Sequence, residues 1–301
     1  EAGMRYFVIK AEKVSKNYSH RQGIEDISFE VEPGEIFGLL GNDHAGKSTL
    51  FSLLAGYFRP TSGNLLVFGL DSQREARQIH ERAGFFPGNY PSPSRHTVAE
   101  LLRSEGHTPG GMLWTDIQKL TDQLDLDLAQ PAATLSSHDR QVFDLLLAFI
   151  PRPELLILDE PCYELKPAIQ DVFYRLIAEA REAGRTVFIT SRSLSEMERI
   201  CDRVAILHRG QLVAVERGTQ LRARAVRVVE MRFADTVTRD SFRDIPNIRN
   251  LTIEGNKVRC VVQGEPDKLI KAACQYHITD LLSTQPSLEQ VLADNYGIKT
   301  I

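Results

Sequence analysis

The sequence predicts an α/β fold followed by a smaller α+β domain. Two short apolar runs, Ile36–Leu40 and Leu155–Leu158, each pass directly into residues of strong chemical character. Runs of this length flanked by helical periodicity are the mark of buried strands in a sheet whose loops carry function. From about Leu221 the pattern changes to strand-like runs and short helices, which indicates a separate core. The expected domains are therefore 4–220 and 221–301, with Glu1–Gly3 ahead of Met4 read as a tag remnant.

In chain order, Ile24–Val31 reads as a strand, Pro33-Gly34-Glu35 as a turn and Ile36–Leu40 as a buried strand. There follow Gly41-Asn42-Asp43-His44-Ala45-Gly46-Lys47-Ser48-Thr49, a glycine-bounded loop opening a helix over Lys47–Tyr57. That spacing, after a strand and before a helix, is a phosphate-binding loop. Its backbone N–H groups converge on an anion, and the helix N-terminus adds the positive end of its dipole. Lys47 supplies a point charge for the β- and γ-phosphates, and Ser48 a hydroxyl for Mg²⁺. A plain glycine turn would not need Gly41, Gly46, Lys47 and Ser48 at these positions. Helical periodicity then covers Thr97–Leu126 around a break at Pro109-Gly110-Gly111. Further on, Glu154-Leu155-Leu156-Ile157-Leu158-Asp159-Glu160-Pro161 reads as a buried strand that ejects two carboxylates at its C-terminal edge. Asp159 suits the metal shell, and Glu160 suits orienting or deprotonating an attacking water. By itself this run would be a core strand ending in a solvated loop. With the upstream loop it completes a candidate nucleotide site.

Over residues 6 to about 215 the chain resembles the ATP-binding cassette family, the ATPase subunits of ABC transporters. The resemblance implies a P-loop cassette with a mixed sheet core, an antiparallel β edge and a helical subdomain at about 88–150 that receives a membrane subunit. It implies that Tyr18 stacks on adenine, although a strand-edge tyrosine fits that position equally well. It places Gly84-Phe85-Phe86-Pro87-Gly88 at the Q-loop, Leu135-Ser136-Ser137-His138-Asp139-Arg140-Gln141 at the signature motif, and Ile189-Thr190-Ser191-Arg192 at the switch loop.

Against that family pattern the departures are concentrated. His44 stands where a glycine is usual, bringing a Cβ into a tight turn that requires φ > 0. Gly88 replaces the Q-loop glutamine, and Lys166 the D-loop aspartate. Ser136 of the signature is retained, but Ser137 and His138 replace its two glycines and Asp139 adds negative charge. Arg192 replaces the switch histidine; it is longer, always charged and unable to exchange a proton. What remains is the phosphate and metal core: Gly41, Gly46, Lys47, Ser48, Asp159 and the candidate base Glu160. The expected ligands are ATP and Mg²⁺, bound with impaired hydrolysis.

The 301 residues, 42% hydrophobic and 25% charged, describe an ordinary globular protein with room for a large and a small domain. No apolar run is long enough to span a bilayer and no signal peptide precedes the first strand. The chain is therefore expected to be cytoplasmic, with any membrane-spanning part on another polypeptide. Cys162, Cys201, Cys260 and Cys274 lack metal-ligand spacing and read as buried, reduced thiols. A net charge of −4 argues against nucleic acid. The arginines between Arg209 and Arg232 are interrupted by Glu216 and Glu230, which is the pattern of a solvated face.

Beyond Leu221 the expected elements are a strand over Val226–Phe233, paired strands at Leu251–Glu254 and Lys257–Val262, a helix over Pro266–Cys274, a strand near Ile278 and a helix over Ser287–Asn295. This tail resembles the C-terminal dimerisation or regulatory additions of prokaryotic exporters. The partners so implied are a separate transmembrane permease, with the chain peripheral on the cytoplasmic face of the membrane, and a second ABC ATPase subunit, a heterodimer being favoured. The alternative is a non-transport regulatory or structural ATP-sensing protein.

Overall fold

The computed structural model describes residues 6–19, 21–86, 96–163, 165–224, 226–238, 240–243 and 245–284. They divide into two compact units, Glu1–Val215 and Glu216–Ile301.

The first unit opens with a hairpin, β1 (Ile9–Tyr18) and β2 (Arg21–Val31), paired antiparallel from Ile9↔Val31 to Tyr18↔Arg21. Because pairing runs to the hairpin tip, β2 starts at Arg21, ahead of the expected Ile24. β3 (Ile36–Leu40) is buried along its whole length and feeds the loop that opens α1 (Lys47–Leu54). α1 stops short of the expected Tyr57. Gly56, at φ 74, donates its N–H to Leu53 O at 3.2 Å, and Tyr57 donates to Ser52 O at 2.9 Å. This is a Schellman stop, which needs a left-handed residue at Gly56.

β4 (Ser62–Val67) and β5 (Leu70–Asp71) complete an antiparallel sheet of order β2-β1-β4-β5. After α2 (Ala76–His80) and β6 (Ala83–Phe86), α3 (Val98–Gly106) begins with a capping box between Thr97 and Glu100. The glycine break separates α3 from α4 (Trp114–Gln123), and α5 (Ser137–Phe149) follows. The remaining elements are β7 (Leu155–Asp159), α6 (Pro167–Glu182), β8 (Thr186–Ser191), α7 (Leu194–Ile200), β9 (Arg203–His208) and β10 (Gln211–Arg217). They form a second sheet of order β10-β9-β3-β8-β7-β6, within which the pairs β9-β3, β3-β8, β8-β7 and β7-β6 are parallel.

The two sheets face each other. Phe29 of β2 stacks on Phe37 of β3 and Phe188 of β8, with centroids 5.2 and 5.9 Å away, and Phe37 and Phe188 lie 6.0 Å apart. All three rings are buried, each worth about 1.5–3 kcal/mol in transfer alone. The register sets Leu40 beside Ser191 and Asp159 beside Thr190. The loops leaving β3, β7 and β8 therefore emerge together at one sheet edge, where ligands bind in parallel α/β sheets.

In the second unit, α8 (Gly218–Arg224) precedes β11 (Val226–Phe233), α9 (Asp240–Arg243), β12 (Ile248–Glu254), β13 (Lys257–Gln263), α10 (Asp267–Ala273) and β14 (Ile278–Thr284). The strands form an antiparallel sheet of order β12-β13-β11-β14. Val229, Met231 and Phe233 alternate inward with Val258, Cys260 and Val262 and bury against Phe242, Leu269 and Ala273. β12 starts earlier than the expected Leu251 because Ile248 already pairs with Val262. α10 is a residue shorter at each end than expected, Pro266 and Cys274 being its caps. Cys201 and Cys260 are buried and Cys162 half-buried, but Cys274 is exposed, contrary to expectation, because it sits at the helix end. The helix expected over Ser287–Asn295 lies outside the described residues, and so does Gly88. Among the described residues no helix is long and apolar enough to cross a membrane.

Candidate functional site

The phosphate loop is shaped by two glycines that admit no side chain. A Cβ on Gly46, at φ 109, would lie 2.6 Å from Ile24 Cγ2 and 2.8 Å from Gly23 O; one on Gly41 would lie 2.7 Å from Leu207 O. His44 also takes the left-handed conformation, at φ 63, with its imidazole exposed. For a residue with a Cβ that conformation costs about 1–2 kcal/mol. Gly46 is the N-cap of α1 and offers no side chain to it, so the first N–H groups of the helix are left for an anion.

Lys47 is buried, and its Nζ donates to Gly41 O at 2.6 Å and Asn42 O at 2.8 Å. The same ammonium meets Glu160 Oε1 at 3.0 Å. The other carboxylate oxygen of Glu160 forms an ion pair with Arg192 Nε at 3.0 Å. Arg192 Nη1 in turn reaches both oxygens of Asp43 at 2.9 and 3.0 Å, and its guanidinium lies 4.0 Å from the centre of the Tyr163 ring. Lys47, Glu160, Arg192 and Asp43 thus form a chain of alternating charge across the mouth of the site.

Asp159 sits beneath it, buried. Thr190 Oγ1 donates to Asp159 Oδ1 at 2.6 Å, and the Ser48 hydroxyl bonds the same carboxylate. Burial raises the acid above its ordinary pKa, and these two hydrogen bonds oppose that rise. Thr190 Oγ1 also accepts from the Glu160 N–H at 3.0 Å, which fixes Glu160 in a left-handed conformation at φ 47. A hydroxyl and a carboxylate already in contact form a hard oxygen donor pair, and that pair fits Mg²⁺.

These groups open onto a cavity of about 760 Å³ whose walls include Tyr18, His44, Lys47, Ser48, Thr49, Glu160 and Arg192. The volume is in the range of small-molecule sites. Tyr18 is partly exposed at one side, edge-on to Phe58 at 6.2 Å, with Lys16 Nζ 5.5 Å from each ring. Behind Arg192, Ser191 Oγ donates to Glu196 Oε2 at 2.6 Å, and burial pushes the neighbouring Cys162 thiol up, so it stays protonated.

Ser136, Ser137, His138, Asp139 and Lys166 are not among the walls of this cavity, although Gln141, at the end of the same segment, donates from Nε2 to the carbonyl of the wall residue Tyr163 at 2.6 Å. Ser136 caps α5, accepting the Asp139 N–H at 3.1 Å while donating its hydroxyl to Asp139 Oδ2 at 2.6 Å. Ser137 is exposed and His138 half-buried. Lys166 is the N-cap of α6 and makes no side-chain cap. Local spacing marks Asp43 only as part of the loop and assigns no role to Thr190 or Tyr163. Their roles come from strand adjacency and have no mark in local spacing.

The ABC transporter family profile matches residues 24–163. The chain is 30% identical over 285 residues to Nod factor export ATP-binding protein I of Rhizobium johnstonii, covering 92% of this chain and 91% of that protein. It is 27% identical to linearmycin resistance ATP-binding protein LnrL of Bacillus subtilis, over 96% of this chain and 98% of that one. It is 30% identical to bacitracin transport ATP-binding protein BcrA of Enterococcus faecalis, over 76% and 75%. Among solved structures, an ATP-binding subunit of an ABC transporter superposes with a TM-score of 0.62 at 24% identity, over 70% of this chain and 90% of that chain. A post-hydrolysis dimer of an ATP-binding cassette bound to ADP and Pi gives 0.57 at 17% identity, over 69% and 98%. The two superpositions bear on the fold.

Proposed function

The chain belongs to the ABC transporter ATP-binding family, and on that premise we propose that it is the ATP-binding subunit of an exporter, coupling nucleotide binding to a separate permease while hydrolysing poorly itself. Relatives concerned with Nod factor export, bacitracin transport and linearmycin resistance support the export reading. The impaired turnover rests on one observation: both oxygens of Glu160 are held in ion pairs, by Lys47 and by Arg192.

In this reading the loop N–H groups and Lys47 hold the β- and γ-phosphates, and Tyr18 flanks the base. Ser48 and Asp159 would hold Mg²⁺, which would supply charge neutralisation to the phosphates. Lys47 leaves Glu160 for the phosphates. Arg192 stays, and a guanidinium can neither accept nor return a proton. At the start of α5, a facing chain's nucleotide would meet a Ser136 hydroxyl already given to Asp139. Losing preorganised groups around a developing phosphoryl charge commonly lowers the rate by about 10²–10³.

A partner with a complete cassette follows from this, so a heterodimer is favoured, with the unit from Glu216 serving dimerisation or regulation and the assembly peripheral on the cytoplasmic membrane face. The test is phosphate release by the complex with permease and partner, comparing wild type, Glu160→Gln in this chain and the matching change in the partner. The chain alone should bind Mg-ATP by calorimetry and turn over slowly. Brisk turnover by this chain alone, abolished by Glu160→Gln, would refute impaired hydrolysis. ATP binding without co-purification of a polytopic membrane protein would favour the ATP-sensing alternative.

A further inference from the structure

We propose that Arg192 makes the site accept a nucleoside triphosphate by holding the Asp43 carboxylate away from the terminal phosphate, the two residues acting as one charge-compensated element. The inference rests on reading the cavity as a nucleotide site. Within it, Lys47 marks the β/γ end. Glu160 shares the Lys47 ammonium at 3.0 Å, Arg192 shares the Glu160 carboxylate at 3.0 Å, and Asp43 shares the Arg192 guanidinium at 2.9 and 3.0 Å. The chain of contacts therefore puts Asp43 at the terminal-phosphate end, on the loop whose N–H groups must converge on the anion.

An acid there works against the loop's purpose. Asp43 is 65% exposed on its side chain and lines the same cavity as Lys47 and Ser48, so without a counter-ion its charge faces the polyphosphate. Arg192 supplies that counter-ion with two hydrogen bonds from one nitrogen, and the Tyr163 ring holds the guanidinium plane at 4.0 Å. A histidine at position 192 would be largely neutral at pH 7 and could not do this continuously. The diphosphate ends one group short of Asp43, so it depends on Arg192 less than the triphosphate does.

The experiment is calorimetric titration of the full chain with ATP and with ADP, in magnesium and again in EDTA. Arg192→Ala should weaken ATP by about tenfold or more, as an uncompensated like charge requires, and ADP by less than about threefold. Adding Asp43→Asn to Arg192→Ala should return ATP affinity to within about threefold of wild type, the coupling expected of residues in direct contact. Glu160→Gln added to Arg192→Ala should not. Equal losses for ATP and ADP, rescue by Glu160→Gln but not by Asp43→Asn, or Arg192→Ala binding like wild type would each overturn the inference while leaving the nucleotide site intact. Wild type binding neither nucleotide at millimolar concentration would overturn the nucleotide reading, and this inference with it. Thermal melts of each variant separate lost binding from lost fold, and Arg192→Gln, which keeps the stem, should repeat the ATP-selective loss.

Discussion

The phosphate loop and the start of α5 are both helix N-termini carrying the positive end of a dipole, yet the chain treats them differently. At the loop, Gly41 and Gly46 have no room for a Cβ, and Lys47 is buried among carbonyls and a carboxylate of its own chain. At α5, Ser136 and Ser137 are exposed and the helix start is closed by the exchange between Ser136 and Asp139. Residues that the chain's own packing requires are held in place. The residues at the start of α5 favour the helix they open: serine and histidine are better helix formers than glycine by up to about 0.5 kcal/mol each, and Asp139 complements the helix dipole.

The strongest way to break this contrast is Gly46→Ala. A methyl at φ 109 meets Ile24 and the Gly23 carbonyl, so the loop must move. ATP affinity should fall at least about 100-fold, or about 2.7 kcal/mol, read by calorimetry, and the melting temperature should fall with it. Next, Ser137→Gly, His138→Gly and Asp139→Gln together restore the family's signature and release the Ser136 hydroxyl. Phosphate release by the reconstituted complex should rise by about tenfold or more, since one preorganised donor is commonly worth that much, although α5 itself should lose stability. No rise would mean that residues 137–139 do not limit turnover. The smallest effect is Lys166→Asp. Lys166 caps α6 without any side-chain hydrogen bond, and an aspartate there should add about 0.5–1 kcal/mol, read as a higher melting temperature of the isolated chain. A lower one would show that Lys166 is needed by its own fold, against the contrast drawn above.

Much of the fold was legible where the signal is local. β3, β7, β11 and the helices either side of Pro109-Gly110-Gly111 follow from apolar runs, alternation and punctuation. The errors lie at element ends: α1 ends at Leu54 because Gly56 adopts φ 74, and β2 and β12 start early because a neighbour pairs with them. A glycine inside a periodic run does not announce which conformation it takes, and pairing depends on another segment.

The same division runs through the site. Nine contiguous residues determine the phosphate loop, since spacing alone sets its backbone turn and the helix start behind it. The chain Lys47, Glu160, Arg192, Asp43 is different: Arg192 and Asp43 are 149 residues apart in sequence. They meet because β3 lies beside β8 and β8 beside β7, with Leu40 level with Ser191 and Asp159 level with Thr190. Local preferences can specify a strand but not its neighbours. Which strands lie together is decided by packing the whole sheet against α1 and the opposing β1–β2 hairpin, and only then do the two carboxylates acquire the cations that hold them.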